Sequence, residues 1–308
     1  MEDVITNLPK EIDGPAIIAV SGGVDSTVAA AATAKAIGEN LLAVYVDTGY
    51  MRLNETEAIE EILGNLGLKY KIVDASDRFY EALSGVIDPE VKRKTIGKLF
   101  IQIFEEVANE YGGDYLIQGT IAPDWIESGG GLRDTIKSHH NVGGLPEKMN
   151  MKIVEPLRDL YKDEVRTLAR HLKLDVAERQ PFPGPGLAVR VIGEATPERT
   201  EIVRQACYIA EDEINQAVEN GEMEAPWQYF AVLLPVQTVG VQGDVRAYGN
   251  TVAVRAVQSF DAMTAQAFEI PWAVQQRISR RITNTLKSEI NRVVYDITDK
   301  PPGTIEWE

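Results

Sequence analysis

The segment 16–37 constrains the fold more than any other part of the chain. An apolar run, Ala16 to Val20, leads into the turn Ser21-Gly22-Gly23-Val24-Asp25-Ser26-Thr27 and then into an alanine-rich stretch that ends at Ile37. This order predicts a buried strand, a glycine-rich turn and the start of a helix. Unpaired N–H groups at a helix N-terminus converge on a negative group in such a turn, and glycine permits its close approach. The segment therefore predicts an anion site at the end of a strand.

The charged residue of this turn is an acid. A Walker A loop needs Gly-x-x-x-x-Gly-Lys-Ser/Thr, and this turn lacks the lysine. Asp25 would repel a phosphate unless a divalent cation lay between them, so the turn predicts phosphate together with Mg²⁺, with Ser21, Ser26 and Thr27 as hydroxyl donors. The alternative is a plain strand-to-helix turn in which Asp25 caps the helix.

The first 180 or so residues alternate short β-rich runs with helical patterns. Such alternation predicts an α/β domain whose parallel sheet carries helices on both faces and binds ligands at the carboxyl ends of its strands. The predicted strands are Ala16 to Val20, Leu41 to Val46, Tyr70 to Val73, Tyr115 to Gln118 and Lys152 to Val154. The predicted helices are Ser26 to Ile37, Glu55 to Leu66, Pro89 to Tyr111 and Lys162 to Leu172.

A proline- and glycine-rich segment, Pro181 to Gly186, ends this alternation and predicts a stiff domain boundary. We therefore expect domains at residues 1–185 and 186–308. The second should be a smaller α+β domain with an interface role. Its predicted elements are a strand at Leu187 to Ile192, a helix at Pro197 to Ala217, β-runs at Tyr229 to Val236 and Thr251 to Val257, a helix from Pro271 and a strand at Arg292 to Tyr295.

Composition excludes several classes of function. A net charge of −16 argues against a long nucleic-acid footprint and weakens a tRNA-modifying interpretation. No apolar stretch approaches the roughly 18 residues that cross a bilayer, and the acidic N-terminus is unlike a signal peptide, so we expect a cytoplasmic protein without a membrane. The one cysteine, Cys207, is expected at a buried helix position.

Polar motifs follow several predicted strands. Asp47-Thr48-Gly49 is either an ordinary β-turn or a contact for the adenosine half of a nucleotide, and Gln118-Gly119-Thr120 follows the fourth strand. The basic run Lys92-Arg93-Lys94, with Lys98, would by spacing alone be a solvated helix face. The glycine-rich stretch 128–150 suggests a mobile loop over a site. Its paired histidines, His139 and His140, do not predict a metal site because adjacent side chains diverge.

The turn Ser21 to Thr27 resembles the PP-loop of the N-type ATP pyrophosphatases, which cleave ATP between its α- and β-phosphates to adenylylate a substrate oxygen. Longer motifs resemble GMP synthetase: residues 136–146 (IKSHHNVGGLP), 181–187 (PFPGPGL), 239–244 (VGVQGD) and 300–308 (KPPGTIEWE). The resemblance covers essentially the whole chain. It implies an adenine nucleotide alpha hydrolase-like first domain and a second domain for dimerisation and XMP binding.

The resemblance also implies roles for single residues. Asp25, as metal ligand, and Lys162, beside the departing phosphates, would be catalytic. ATP contacts would come from Ser21, Gly22, Gly23, Val24, Asp25, Ser26, Thr27, Val46 and Gly119. XMP contacts would come from Arg93, Gln228, Asp244, Lys300 and Glu306, and a lid from Lys137, His139 and His140. By spacing alone Lys162 would be a solvated helix lysine and the tail 300–308 a frayed end.

The implied reaction is the amination of XMP to GMP with ATP and Mg²⁺. Many members of the family carry a glutaminase domain with a cysteine nucleophile, whereas this chain reaches its PP-loop at residue 21. We therefore expect the ATP pyrophosphatase subunit of a two-subunit enzyme, a homodimer supplied with ammonia by a separate glutaminase. NAD synthetase, which shares the loop, and a non-enzymatic nucleotide-binding module are the alternatives.

Overall fold

The computed structural model describes residues 8–122, 151–172, 174, 180–260 and 262–308. The chain divides into two compact units. The first comprises residues 1–49, 54–79 and 93–184, and the second comprises 50–53, 80–92 and 185–308. The second unit thus takes two short segments from the N-terminal part of the chain.

The first unit is built on a five-stranded parallel sheet. Its strands are β1 (Ala16–Ala19), β2 (Leu41–Asp47), β3 (Tyr70–Asp74), β4 (Tyr115–Ile117) and β5 (Lys152–Val154), in the order β3-β2-β1-β4-β5. β1 and β2 are almost wholly buried, as expected of apolar runs covered on both faces. β1 pairs with both β2 and β4, so the strand order reverses there. Ligands of open α/β sheets bind at such a reversal.

Helices connect these strands. They are α1 (Val24–Ile37), α2 (Glu55–Asn65), α3 (Ser76–Ala82), α4 (Pro89–Tyr111) and α5 (Lys162–His171). The α/β prediction is confirmed, and four of these helices match their predicted bounds within two residues. Helix α3 was not predicted. Asp74 starts it, because its carboxylate accepts from the backbone N–H of Ser76 at 3.0 Å and from the Ser76 hydroxyl at 2.7 Å.

The second unit contains a four-stranded sheet and two long helices. The strands are β6 (Gln228–Gln242), β7 (Val245–Gln258), β8 (Gln266–Ala267) and β9 (Ile290–Asp296), and the helices are α6 (Pro197–Glu219) and α7 (Trp272–Thr285). β6 and β7 form an antiparallel hairpin much longer than the two predicted β-runs, and β9 pairs in parallel with β7. Cys207 is buried in α6, as predicted, and burial raises the pKa of its thiol.

The predicted strand Leu187 to Ile192 is wrong, because Gly186–Arg190 forms a 3₁₀ helix. Gly186 has φ +63°, and a Cβ there would lie 2.3 Å from the carbonyl oxygen of Tyr50, so the chain turns where only glycine fits. Carbonyl groups of this segment then serve cations instead of a strand partner. Lys92 Nζ donates to the carbonyls of Ala188 (3.1 Å) and Val191 (2.8 Å).

Among the described residues, no helix combines the length and the apolar character needed to cross a membrane.

Candidate active site

The turn between β1 and α1 is held by its own hydroxyl groups. The hydroxyl of Ser26 donates to the carbonyl of Gly23 at 3.2 Å and accepts from the backbone N–H of Ser21 at 3.1 Å. Thr27 Oγ1 donates to the same Gly23 carbonyl at 2.8 Å. These bonds fix the loop as an open turn. The hydroxyls of Ser26 and Thr27 therefore shape the turn from within.

Helix α1 begins without a side-chain cap. Gly23 is the N-cap residue, with extended backbone at φ −73° and ψ 160°, and no side chain accepts from the first turn. Asp25 lies inside that turn, so the alternative in which Asp25 caps the helix is wrong. Uncapped N–H groups at a helix start carry partial positive charge, which favours an anion. The start of α1 thus has the polarity that a phosphate group needs.

Asp25 and Lys162 form an ion pair at this turn. Lys162 is the first residue of α5, and its Nζ lies 2.5 Å from Asp25 Oδ2. The side chains of Lys162 and Asp25 are 43% and 27% exposed, so the pair is accessible from solvent. Glu164 accepts from the backbone N–H of Tyr161 at 2.8 Å and so fixes the start of α5. The pair places one positive and one negative group beside the uncapped helix start.

The other carboxylate oxygen of Asp25 is an orphan within the described structure. Asp25 Oδ1 is buried and accepts no hydrogen bond there. The described residues contain no cluster of three or more histidine, cysteine or acidic side chains that could hold a metal alone. Mg²⁺ commonly uses one or two carboxylates together with substrate phosphates. A single carboxylate with an unused oxygen beside a phosphate turn fits that donor set.

Gly119 packs directly on this turn. It follows β4, and a Cβ at this position would lie 2.9 Å from the backbone nitrogen of Ser26 and 3.0 Å from the carbonyl carbon of Asp25. Because both neighbours are backbone atoms, a side chain could enter only by displacing the turn. Val46, at the end of β2, is buried. Gly119 therefore sets the spacing between β4 and α1.

Asp47 organises the turn that follows β2. Its carboxylate accepts from the backbone N–H of Gly49 at 2.8 Å and from the Thr56 hydroxyl at 2.7 Å. This is the β-turn that the sequence allowed, fixed by an aspartate side chain. A contact of the same turn with adenosine stays a prediction.

The basic run on α4 does not behave as one solvated face. Lys94 and Lys98 are not both in the same surroundings as Lys92: Lys94 is exposed, and Arg93 and Lys98 are half-buried. Lys92 is fully buried and pairs with the carboxylate of Glu308. Burial lowers the pKa of Lys92 even though Glu308 acts in the opposite direction. The interpretation of the run as a solvated helix face is wrong for Lys92.

Two of the expected XMP contacts meet in the second unit. Gln228 Nε2 donates to Glu306 Oε1 at 2.9 Å. Lys300 Nζ donates to the carbonyl of Ala262 at 2.8 Å. Asp244 lies at the far turn of the β6–β7 hairpin, in left-handed backbone at φ +64°. The 14 steps along β6 from Gln228 to Gln242 correspond to roughly 45 Å of strand.

The C-terminal tail, 300–308, is bound by buried cations, so the frayed-end alternative is wrong. Arg190 forms a two-point ion pair with Glu306, and Arg255 Nε donates to the carbonyl of Ile305 at 2.9 Å. Sequence reasoning missed Arg190, Arg255 and Lys92. A signal existed for two of them, since each arginine interrupts an apolar β-rich run, where a charge must be exposed or paired.

The expected lid residues, Lys137, His139 and His140, lie outside the described residues. So does the rest of the glycine-rich stretch 128–150.

We predict that Gly119→Ala weakens nucleotide binding at the turn at least tenfold, because the new Cβ must push the backbone of α1 away from β4. Gly64→Ala is the matched control. Gly64 lies in α2, and a Cβ there would meet no atom within 4 Å. ATP titration calorimetry on both variants measures the difference. Unchanged affinity in the Gly119 variant would show that the close approach has no bearing on the site.

Comparison with known proteins identifies both parts of the chain. Residues 214–307 match the family model described as the GMP synthase C terminal domain, and residues 15–180 match the one described as queuosine biosynthesis protein QueC. The second match contains the phosphate turn, Gly119 and Lys162. The two models therefore meet in one chain.

Relatives that align along their whole length share one name, that of a subunit of glutamine-hydrolyzing GMP synthase. The relative from Thermococcus kodakarensis is 59% identical, with 100% of this chain and 99% of the relative aligned. The relative of the same name from Pyrococcus furiosus is 60% identical over 100% of this chain and 96% of the relative. Identity of this extent over both chains establishes the family: the chain belongs to the family of this GMP synthase subunit and is a carbon–nitrogen ligase of that kind.

Proposed function

We propose that this chain aminates XMP to GMP through an adenylylated intermediate. The C2 oxygen of XMP attacks the α-phosphorus of ATP, the bond from that phosphorus to the bridging β-oxygen breaks, and pyrophosphate leaves. Ammonia then adds at C2 and AMP departs with the former C2 oxygen. The products are GMP, AMP, pyrophosphate and protons, and no redox partner is needed.

The ion pair of Asp25 and Lys162 at the phosphate turn carries this proposal. Without a nucleotide the two charges neutralise each other across 2.5 Å. A bound triphosphate would draw Lys162 toward the departing oxygens, where preorganised positive charge stabilises phosphoryl transfer. Asp25 would then hold Mg²⁺ through the oxygen that accepts no bond here. Bound Mg²⁺ supplies further neutralisation of the leaving pyrophosphate.

ATP would lie at the reversal of strand order. The turn 21–27 follows β1 and Gly119 follows β4, and these are the neighbouring strands at which the order reverses. We place the phosphates against the turn and the start of α1, with Val46 on the adenosine side. XMP would be bound by Arg93, Gln228, Asp244, Lys300 and Glu306. The charge-assisted contacts would be Lys300 to the phosphate and Glu306 to the purine or ribose.

The first test of this proposal is Lys162→Met together with Asp25→Asn. Each change removes one charge from the turn, so XMP-dependent pyrophosphate release should fall about 10²–10³-fold, the usual cost of a lost transition-state donor. Lys35→Met is the control, since Lys35 is an exposed lysine near the end of α1. Release with deamido-NAD is measured in parallel to test the NAD synthetase alternative. Turnover at the wild-type rate in either variant would refute the assigned roles.

Ammonia should come from a separate glutaminase subunit. A glutaminase of the cysteine type needs an accessible thiolate. Cys207 is the one cysteine in the sequence, and it is buried with the pKa of its thiol raised by burial. We infer that this chain cannot release ammonia from glutamine by that chemistry.

The purified chain should therefore form GMP with ammonium chloride but not with glutamine, the two nitrogen sources being compared at equal concentration. Ammonia is itself the species that attacks C2, so its rate should rise with pH as ammonium ion deprotonates. Product formation is followed by chromatography. Glutamine-dependent synthesis by the chain alone at a comparable rate would contradict the proposal.

Asp244 fits the proposed XMP site only through a homodimer. It lies at the opposite end of the β6–β7 hairpin from Gln228, separated by roughly 45 Å of strand. One XMP molecule does not span that length. We propose that the hairpin of one protomer supplies Asp244 to the XMP site of the other.

Co-expression of Asp244→Ala with Glu306→Gln tests this arrangement. In a mixed dimer with a shared site, one site carries both changes and the other carries neither, so activity at low XMP should recover to about a quarter of wild type. The pair Asp25→Asn and Lys162→Met is the control, because both residues belong to one site within one chain. Mixed dimers that stay at the level of the separate variants would place Asp244 outside a shared site.

A further inference from the structure

All three fully buried cations of the described chain bind its last five residues. Lys92, Arg190 and Arg255 are each at most 1% exposed. Lys92 pairs with Glu308, Arg190 pairs with Glu306, and Arg255 donates to the carbonyls of Thr304 at 2.8 Å and Ile305 at 2.9 Å. An unpaired buried charge is costly, so each cation needs the tail as much as the tail needs the cation.

Arg190 has the most specific geometry of the three. Its Nε lies 3.1 Å from Glu306 Oε2 and its Nη2 lies 2.8 Å from Glu306 Oε1. Such a two-point contact fixes both the position and the plane of a carboxylate, which a lysine cannot do. The guanidinium lies over the Phe230 ring at 4.2 Å and contacts the Cys207 sulfur at 3.9 Å. Arg190 is therefore itself held in place.

Glu306 is correspondingly well occupied. A carboxylate offers about four acceptor positions. Arg190 uses two of them and Gln228 uses a third. Burial alone would lower the pKa of Arg190, but Glu306 and Cys207 outweigh it and the net shift is upward, so this cation keeps its charge. Glu306 is thus left with little capacity and a defined direction in which to use it.

We infer that Arg190 is a positioning residue: its buried two-point pair with Glu306 fixes that carboxylate and, with it, the C-terminal tail against the second unit. The consequence for XMP rests on the proposed contact between Glu306 and XMP. Arg190 does not touch the substrate in this scheme. It acts through Glu306, so its removal should raise the KM for XMP and leave kcat nearly unchanged.

The experiment uses Arg190→Met, Glu306→Gln and the double variant, with Arg280→Met as the control. Arg280 is an exposed arginine on α7. The first measurement is carboxypeptidase Y trimming of the C-terminus, followed by intact mass. The second is steady-state kinetics in XMP and ATP. The double variant leaves neither charge of the pair without its partner, so it keeps the test valid where Arg190→Met folds poorly.

Trimming should be about tenfold faster in Arg190→Met and Glu306→Gln than in wild type and the Arg280 variant, as expected for one lost charge-assisted contact. The KM for XMP should rise about tenfold, with kcat within about twofold and the ATP KM unchanged. The double variant should be no worse than the worse single one, since both changes break the same pair. Arg190→Lys should rescue only in part, because it restores charge without the fork.

Two failures are distinguishable. Trimming at the wild-type rate in Arg190→Met and in the double variant would overturn the inference, whatever the kinetics show. Fast trimming with an unchanged KM for XMP in Glu306→Gln would support the anchoring of the tail and overturn the proposed contact between Glu306 and XMP. Additive effects of the two changes on the KM for XMP would also overturn the inference, because Arg190 would then act without Glu306.

Discussion

The approach of β4 to the start of α1 is the constraint on which the first unit's site depends. β1 pairs in parallel with strands on both of its edges, and the strand order reverses between β1 and β4. At that reversal the carboxyl end of β4 faces the turn after β1, and only a residue without a Cβ fits between them. Gly119 and the uncapped start of α1 are consequences of one packing requirement. A site for phosphate follows from the topology, and Asp25 and Lys162 adapt it to a metal-bound triphosphate.

Charge is distributed in a way that the net value conceals. The chain carries a formal charge of −16, yet its buried ionic groups include three cations that all bind the tail. Global charge governs long-range encounters, whereas a local cluster governs what a site holds. An acidic protein can therefore bind two nucleotides when its cations are concentrated where phosphates and carboxylates must be fixed. The sign of the whole chain excludes a broad nucleic-acid surface without excluding anionic substrates.

Local sequence predicted the first unit well and the second unit poorly, for a physical reason. Buried parallel strands and capped helices have short-range signatures, so β1, β2 and α4 could be read from runs of apolar residues and from helical periodicity. The turn at Gly186 depends on the carbonyl of Tyr50, far earlier in the chain, and no local pattern reports that contact. The burial of Lys92 depends on Glu308 at the other end of the chain. Long-range pairing overrides the spacing that predicts a solvated face.

The tail shows why a substrate site and a folding requirement can coincide. If the last five residues left their positions, three buried cations would lose partners and would need water in a packed interior. The docked tail is therefore favoured before any substrate arrives, and little conformational entropy remains to be lost when Glu306 meets a ligand. A terminus that carries binding residues is otherwise a poor place for them, because terminal residues fray. Cations buried beneath the tail convert this terminus into a preorganised surface, and in that arrangement the same carboxylates that complete the core also set the geometry available to XMP.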